Sequence, residues 1–216
     1  MVINLSAQHS LISNWVSDLR NIEVQNDRLR FRRNLERIAE VAGYEISKQL
    51  ETVEKTIATP MGQAKVQVLK DQPVLATILR AGLAMHHGLL NYFDRADNSF
   101  LTAYRKHHAD GSFEISMEYM SCPDLEGRTV IVSDPMLATG ASLVKAIEHL
   151  KTVGKIKDLH IVCAIACTTG IDFVQAAFPE ATIWCGAIDN ELTDKGYIVP
   201  GLGDAGDLAY GLKIQH

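Results

Sequence analysis

Asp134 stands just past an apolar, β-branched run, Thr129 to Val132, and leads into Pro135-Met136-Leu137 and then Ala138-Thr139-Gly140-Ala141-Ser142. A carboxylate at that point accepts hydrogen bonds from hydroxyls. The small residues after it leave backbone N–H groups bare where an amphipathic segment, Leu143 to Val153, begins, and the positive end of a helix dipole adds to those donors. A phosphate cradle beside a hydroxyl-binding acid suits a sugar phosphate. Two arginines extend the same chemistry: Arg80, in Leu79-Arg80-Ala81-Gly82-Leu83, and Arg105, after Tyr104, each follow an apolar run, and a guanidinium grips phosphate oxygens in a two-pronged fork. A third stretch, Gly196 to Asp207, reads Gly-Tyr-Ile-Val-Pro-Gly-Leu-Gly-Asp-Ala-Gly-Asp. Its Gly201, Gly203 and Gly206 match the dinucleotide-binding fingerprint letter for letter, but that fingerprint needs a further strand with an acid about 20 residues on, and His216 is reached first. A tight loop whose backbone groups approach a flat ligand is the better reading, with Asp204 and Asp207 available to a metal or a hydroxyl.

The elements that must position these groups follow from periodicity. Helices are expected over His9 to Asn21 and over Asp27 to Leu50, where Phe31, Leu35, Ile38, Ala42, Ile46 and Leu50 form one apolar face and Asp27 caps the start. Thr52 to Ala58 and Ala64 to Leu69 alternate around Pro60-Met61-Gly62 and predict a hairpin. Beyond it, strands at Val74 to Ile78, Phe100 to Arg105, Thr129 to Val132, Leu159 to Ala166 and Thr182 to Ala187 mostly alternate with helical runs, including Ala84 to Phe93 and Ile171 to Phe178. That alternation predicts an α/β fold with a parallel sheet and helices on both faces. Ligands of such sheets bind beyond the carboxyl ends of the strands, which brings Arg80, Arg105, Asp134, Cys167-Thr168-Thr169 and Asp189 to one edge. Between Arg105 and the central strand, residues 106–127 read as a protruding β-arm turning at Asp110-Gly111, either a lid over the crevice or a dimer contact. His107 and His108, adjacent on that arm, point to opposite faces and do not share a metal.

Composition narrows the partners. The 216 residues, 47% apolar, suffice for one domain: helices and hairpin over 1–70, the core sheet over 71–190 with its arm at 106–127, and a loop and tail over 191–216. A net charge of -5 argues against nucleic acid or a membrane surface as partner, so Arg28, Arg30, Arg32 and Arg33 are read as a solvated helix face or a subunit contact. Cys122, Cys163, Cys167 and Cys185 form no C-x-x-C pair and fit reduced, buried thiols. The opening Met-Val-Ile-Asn-Leu-Ser has no basic or long apolar leader, so a cytoplasmic location is expected. Without a Walker lysine or a Gly-x-Ser-x-Gly elbow, P-loop nucleotide hydrolysis and acyl hydrolysis are disfavoured.

Val132 to Ser142, with its Asp-Pro-Met-Leu-Ala-Thr-Gly core, resembles the phosphoribosyl pyrophosphate motif of uracil phosphoribosyltransferases, and Tyr197 to Asp207 resembles that family's uracil loop. Ile78 to Leu83, Tyr104-Arg105 and Thr59-Pro60-Met61-Gly62 also resemble family segments in order, over most of the chain from about Phe31. The resemblance implies a type I phosphoribosyltransferase-like sheet with an N-terminal helical appendage and a C-terminal loop. It implies transfer of the 5-phosphoribosyl group to uracil with Mg²⁺, in a homodimer or higher homo-oligomer. It places the donor on Arg80, Arg105, Asp134, Pro135, Met136, Leu137, Ala138, Thr139, Gly140, Ala141, Ser142 and Asp204, and uracil on Ile198, Gly203, Asp204 and Ala205. Arg105, Asp134 and Asp204 are the residues it implies for catalysis, and magnesium is expected mainly through the donor's pyrophosphate, with Asp204 as the candidate protein ligand. Three departures stand out: Ala141 where many relatives have glycine, expected to crowd the phosphate; Cys167-Thr168-Thr169-Gly170 in place of Ala-Pro-Glu-Gly; and Leu208-Ala209-Tyr210-Gly211 in place of an Arg/Lys-x-Phe-Gly pattern.

Overall fold

A computed structural model describes residues 1–107 and 113–213, with the side chains of 103–107 and 113–117 outside that description. The chain runs β1 (Val2–Asn4), α1 (Leu11–Arg20), α2 (Arg28–Ser47), β2 (Thr52–Thr59), β3 (Gly62–Leu69), β4 (Val74–Leu79), α3 (Leu83–Tyr92), β5 (Asp97–His107), β6 (Phe113–Ser121), β7 (Thr129–Ser133), β8 (Met136–Leu137), α4 (Ala141–Leu150), β9 (Asp158–Cys167), α5 (Thr168–Ala177), β10 (Thr182–Asp189), β11 (Glu191–Leu192), β12 (Ile198–Val199) and α6 (Ala205–Tyr210).

The main sheet has the order β1-β10-β9-β7-β4-β5-β6, with β8 also on β9, and every pairing in it is parallel except that of β6 with β5. Because successive strand residues face opposite sides, neighbouring apolar residues feed two cores. Leu75, Ile131, Val162 and Trp184 pack with α1, α2, α3 and α6 on one face. Val74, Ala76, Val130, Val132, Ile161 and Cys163 pack with α4 and α5 on the other. Continuous apolar runs in these strands are therefore what burial on both faces demands.

Local signals set the helix starts. Asp27 caps α2 by accepting from Arg30 N at 3.0 Å, and Ser10 caps α1 by accepting from Ile12 N at 3.3 Å. β1 had no periodic signal, being three residues long; it forms because β10 offers an open edge, with Val2 opposite Ile183 and the Met1 ammonium donating to Ala181 O at 2.9 Å. The arginines of α2 are mostly a solvated face, as expected: Arg30 pairs with Asp18 and Arg33 with Glu36. Arg32 differs, donating to Ala209 O at 2.7 Å and lying over the Tyr210 ring, so it ties α2 to α6.

The arm is only half a projection. β5 pairs with β4 as far as Thr102, then shifts register at Thr102/Ala103 and continues against β6 alone. Residues 118–121 of β6 are thus the antiparallel edge of the main sheet, and the expected turn at Asp110-Gly111 lies outside the described residues, as does His108. β2 and β3 form a separate hairpin closed by the two residues Pro60-Met61.

Candidate active site

β7 delivers Asp134 to the carboxyl edge of the sheet, and the chain does not leave the sheet there. Asp134 N donates to Val162 O at 3.1 Å, Ile165 N donates to Pro135 O at 3.0 Å, and Met136-Leu137 rejoin β9 as β8, a return that no periodicity announced. The loop then turns through Gly140, whose φ of +82° is left-handed backbone; an added Cβ would sit 3.0 Å from Gly170 O and 3.2 Å from Phe173 and Val174. Gly140 is also the cap position of α4 and has no side chain to cap it; among the first-turn N–H groups only that of Ala141 meets a side chain, Thr139 Oγ1 at 3.4 Å. First-turn N–H groups are therefore left for a ligand, as an anion site requires. The Asp134 carboxylate accepts from Met136 N at 3.1 Å. Burial pushes its pKa up to about 7, only partly opposed by that hydrogen bond.

The second loop starts from a short ladder of β11 with β12 and passes through a cis Val199–Pro200 bond to Gly201 and Gly203, with φ of +54° and +96°. A Cβ on Gly201 would run into Ile198 O, so this turn accepts only glycine without rearrangement. Asp204 then caps α6, accepting from Asp207 N at 3.0 Å and, through its other oxygen, from Lys213 Nζ at 2.8 Å. Burial acts to raise the Asp204 pKa, but the Lys213 ammonium and the Asp207 N–H outweigh it, so the carboxyl lies below its ordinary range. The glycine pattern thus does open a helix, of six residues; no strand follows it among the described residues.

Both loops line one cavity of about 210 Å³. Asp134, Met136, Leu137, Ala138, Thr139, Gly140, Ser142 and Leu143 form one wall, and Tyr197, Ile198, Gly203, Asp204, Ala205 and Gly206 the other. It opens into a wider cleft of about 600 Å³ bordered by Arg80, Lys195, Asp207 and Lys213. Of the anticipated residues, Pro135 and Ala141 are not on either lining; Pro135 is buried and Ala141 is the first residue of α4. Arg80 borders the cleft but donates to Asp207 Oδ1 at 2.7 Å and to Gly211 O at 2.6 Å. The backbone of Arg105 lies in β5 opposite Ile115, past the last residue paired with β4, and its side chain is outside the description.

Two anticipated strand-end groups do not join the cavity. Cys167 and Thr168-Thr169 start α5, and Asp189 turns to Arg20 and Gly201. Lys195 and Lys213 carried no motif signal and enter the cleft only because the loop before β12 and the tail after α6 fold back toward β4. An anion cradle, an acid for hydroxyls, cations along an adjoining cleft and a glycine loop of exposed backbone groups can together hold a phosphorylated sugar against a planar acceptor.

A mostly parallel sheet covered on both faces, with this cradle at its carboxyl edge, is the α/β fold of a phosphoribosyltransferase. The chain belongs to the uracil phosphoribosyltransferase family, whose model matches residues 6–211. A uracil phosphoribosyltransferase from Porphyromonas gingivalis is 50% identical over 214 residues, 99% of each chain. One from Methanococcus vannielii is 39% identical over 199 residues, 91% of this chain and 84% of that one. A solved protein structure from Aquifex aeolicus, 32% identical, superposes with a TM-score of 0.87 over 100% of both chains.

Proposed function

We propose that this chain transfers the 5-phosphoribosyl group of phosphoribosyl pyrophosphate to N1 of uracil, giving uridine monophosphate and pyrophosphate. One observation carries the reading: the α4 loop with Asp134 and the glycine loop with Asp204 wall the same cavity. The 5'-phosphate rests on Ala138 to Ser142 at the uncapped α4 N-terminus, Pro135 to Leu137 fix that loop to β9, and Asp134 accepts from the ribose hydroxyls. Arg80 and Arg105 hold the donor's pyrophosphate, with Lys195 and Lys213 adding charge along the cleft. The backbone of Ile198, Gly203, Asp204 and Ala205 reads the edge of uracil, since main-chain groups fixed by a turn cannot rotate away as a side chain can.

In the reaction the C1'–O bond breaks and its electron pair leaves with pyrophosphate, while the N1 lone pair forms the C1'–N1 bond and the N1 proton passes to solvent. Cations fixed in place before the bond breaks stabilise the charge that develops on the leaving group. Among the described residues no group of three or more His, Cys, Asp or Glu is set for a metal, and Asp204 and Asp207 are already paired with Lys213 and Arg80. This donor set fits magnesium that arrives with the donor's phosphate oxygens and takes at most Asp204 from the protein. Bound so, it supplies positive charge to the departing pyrophosphate.

A homo-oligomer, dimer or larger, is supported by the β2–β3 hairpin. Val53, Ile57, Ala64, Val66 and Val68 share one of its faces, and Met61 at its tip is 96% exposed. Two strands alone are marginal in water and gain from a covering partner. Free cysteines at 122, 163, 167 and 185 fit a cytoplasmic enzyme, and no described helix is long and apolar enough to cross a membrane. The test is product formation from phosphoribosyl pyrophosphate with uracil, hypoxanthine or orotate, with and without magnesium. Magnesium-dependent uridine monophosphate is expected; turnover of hypoxanthine or orotate without turnover of uracil would overturn the reading.

A further inference from the structure

The glycine loop owes its shape to groups that never reach the cavity. Arg20, the last residue of α1, lays its guanidinium flat on Asp189 at the end of β10, with NH1 to Oδ2 at 2.7 Å and NH2 to Oδ1 at 2.8 Å. The two then hold both backbone groups of a single residue. Gly201 N donates to Asp189 Oδ2 at 3.0 Å, and Gly201 O accepts from Arg20 NH1 at 3.0 Å. Gln25 adds a neighbouring tie, its Nε2 donating to Leu202 O at 3.2 Å and to Leu19 O at 2.9 Å. The pair is well shielded: the side chain of Asp189 is 8% exposed and that of Arg20 is 23% exposed. A charged fork thus treats Gly201 as a paired strand would, holding both its donor and its acceptor. Gly201 lies two residues before Gly203 and three after Ile198, so whatever fixes its orientation fixes the backbone on both sides.

We infer that Arg20 and Asp189 are positioning residues for the acceptor base: they set the Ile198–Ala205 backbone that reads uracil, and they leave the donor cradle alone. The inference rests on the reading of that backbone as the uracil contact. The cradle has its own supports in β7, β8, β9 and α4, and neither Arg20 nor Asp189 lines the cavity. Removing the pair therefore separates the two substrates, whereas a general loss of fold would weaken both.

The experiment uses the full-length enzyme as wild type, Arg20→Ala, Arg20→Lys and Asp189→Asn. Steady-state KM is measured for each substrate, donor binding is measured by calorimetry, and amide hydrogen exchange is followed in peptides spanning 198–206. A backbone misplaced by a fraction of a bond length is expected to raise the uracil KM roughly 10- to 100-fold. Donor affinity should change far less, since Asp204, the one donor contact on this loop, keeps its own ties to Asp207 N and Lys213, and exchange protection at 198–206 should be lost. Arg20→Lys keeps the charge but loses the fork, and should recover part of the uracil KM. An unchanged uracil KM in a folded variant, or equal losses for uracil and donor, overturns the inference. Should wild type itself fail to use uracil, the proposed function falls instead. The clamp is then decided by exchange alone: lost protection at 198–206 with donor binding intact upholds it, and retained protection overturns it.

Discussion

The two walls of the cavity are built in opposite ways. The donor wall, Asp134 to Ser142, is one uninterrupted strand-loop-helix passage whose ties run to adjacent strands or to itself: Asp134 to Met136, Pro135 to Ile165, and β8 on β9. The acceptor wall, Gly196 to Ala205, is held from the far end of the chain, by Arg20 on Gly201, Gln25 on Leu202 and, through α6, Arg32 on Ala209. The sheet that frames the donor wall is common to many chemistries, and the acceptor wall is grafted on by an appendage of two helices. In the proposed assignment, α1 and α2, remote in sequence, act as the back support of base recognition.

Arg80 gives the largest expected effect, because it joins the walls. It borders the donor cleft while donating to Asp207 and to Gly211 O in the acceptor half. In the proposed reaction pyrophosphate draws that guanidinium onto itself. Arg80→Ala should lower kcat/KM for the donor by about 10²–10³, the range for loss of a preorganised charge-stabilising donor. A loss below about tenfold, or about 1.4 kcal/mol, measured by initial rates with varied donor, would assign Arg80 to the acceptor tail alone.

A matched pair of glycines tests whether the walls are separable. Gly140 and Gly201 both have left-handed φ, so alanine at either costs about 1–2 kcal/mol in backbone strain before any clash. At Gly140 the new methyl presses on Gly170 O, Phe173 and Val174, and at Gly201 it meets Ile198 O. Gly140→Ala should raise the donor KM and spare uracil, and Gly201→Ala the reverse. Identical changes in both KM values for either variant would show one coupled loop system.

Asp134 yields a pH signature confined to the donor wall. Its folded carboxyl keeps the proton up to about 7, whereas the unfolded one releases it near 3.8. Between those values the folded state binds more protons, so stability of the ligand-free protein falls as pH rises through that window. Asp134→Asn removes this slope, and its melting temperature should exceed that of wild type at pH 8 by more than at pH 5. Ionised Asp134 is the form that accepts from two hydroxyls, so wild-type donor affinity should improve as pH rises through about 7, and the Asn variant should lack that step. Calorimetric titration of donor at pH 6 and 8 checks it.

The same division explains what the sequence could tell. The central strands, the helices from α1 to α5 and the Asp134–Ser142 cradle rest on periodicity and turn chemistry within a few residues, which a linear reading captures. β1 and β8 were invisible because two or three residues carry no period; they exist through the edge of β10 and the surface of β9. Asp189 was misplaced for a sharper reason. Position after a strand end says that a side chain is near the crevice, but which way it turns depends on Arg20, 169 residues away. Lys195 and Lys213 were likewise unreadable, since only the folding back of loop and tail brings them to Arg80 and Asp204.

Ala141 offers the smallest effect and the finest test of how local the donor wall is. Its methyl was expected to crowd the phosphate, yet the cavity is lined by Gly140 and Ser142 on either side of it and not by Ala141 itself. As the first residue of α4, directly after a cap with no side-chain hydrogen bond, it contributes helix propensity and a backbone N–H that reaches Thr139 Oγ1 at 3.4 Å. Ala141→Gly should therefore cost at most about 0.5–1 kcal/mol in stability, the alanine-to-glycine difference in a helix, and less at a first-turn position. Donor KM should stay within about twofold, since the N–H groups that meet phosphate are unchanged in number. A clear gain in donor affinity would mean that the methyl does press on the phosphate. The cradle would then depend on the side chain at 141, and the contrast with the acceptor wall would narrow to one of distance along the chain.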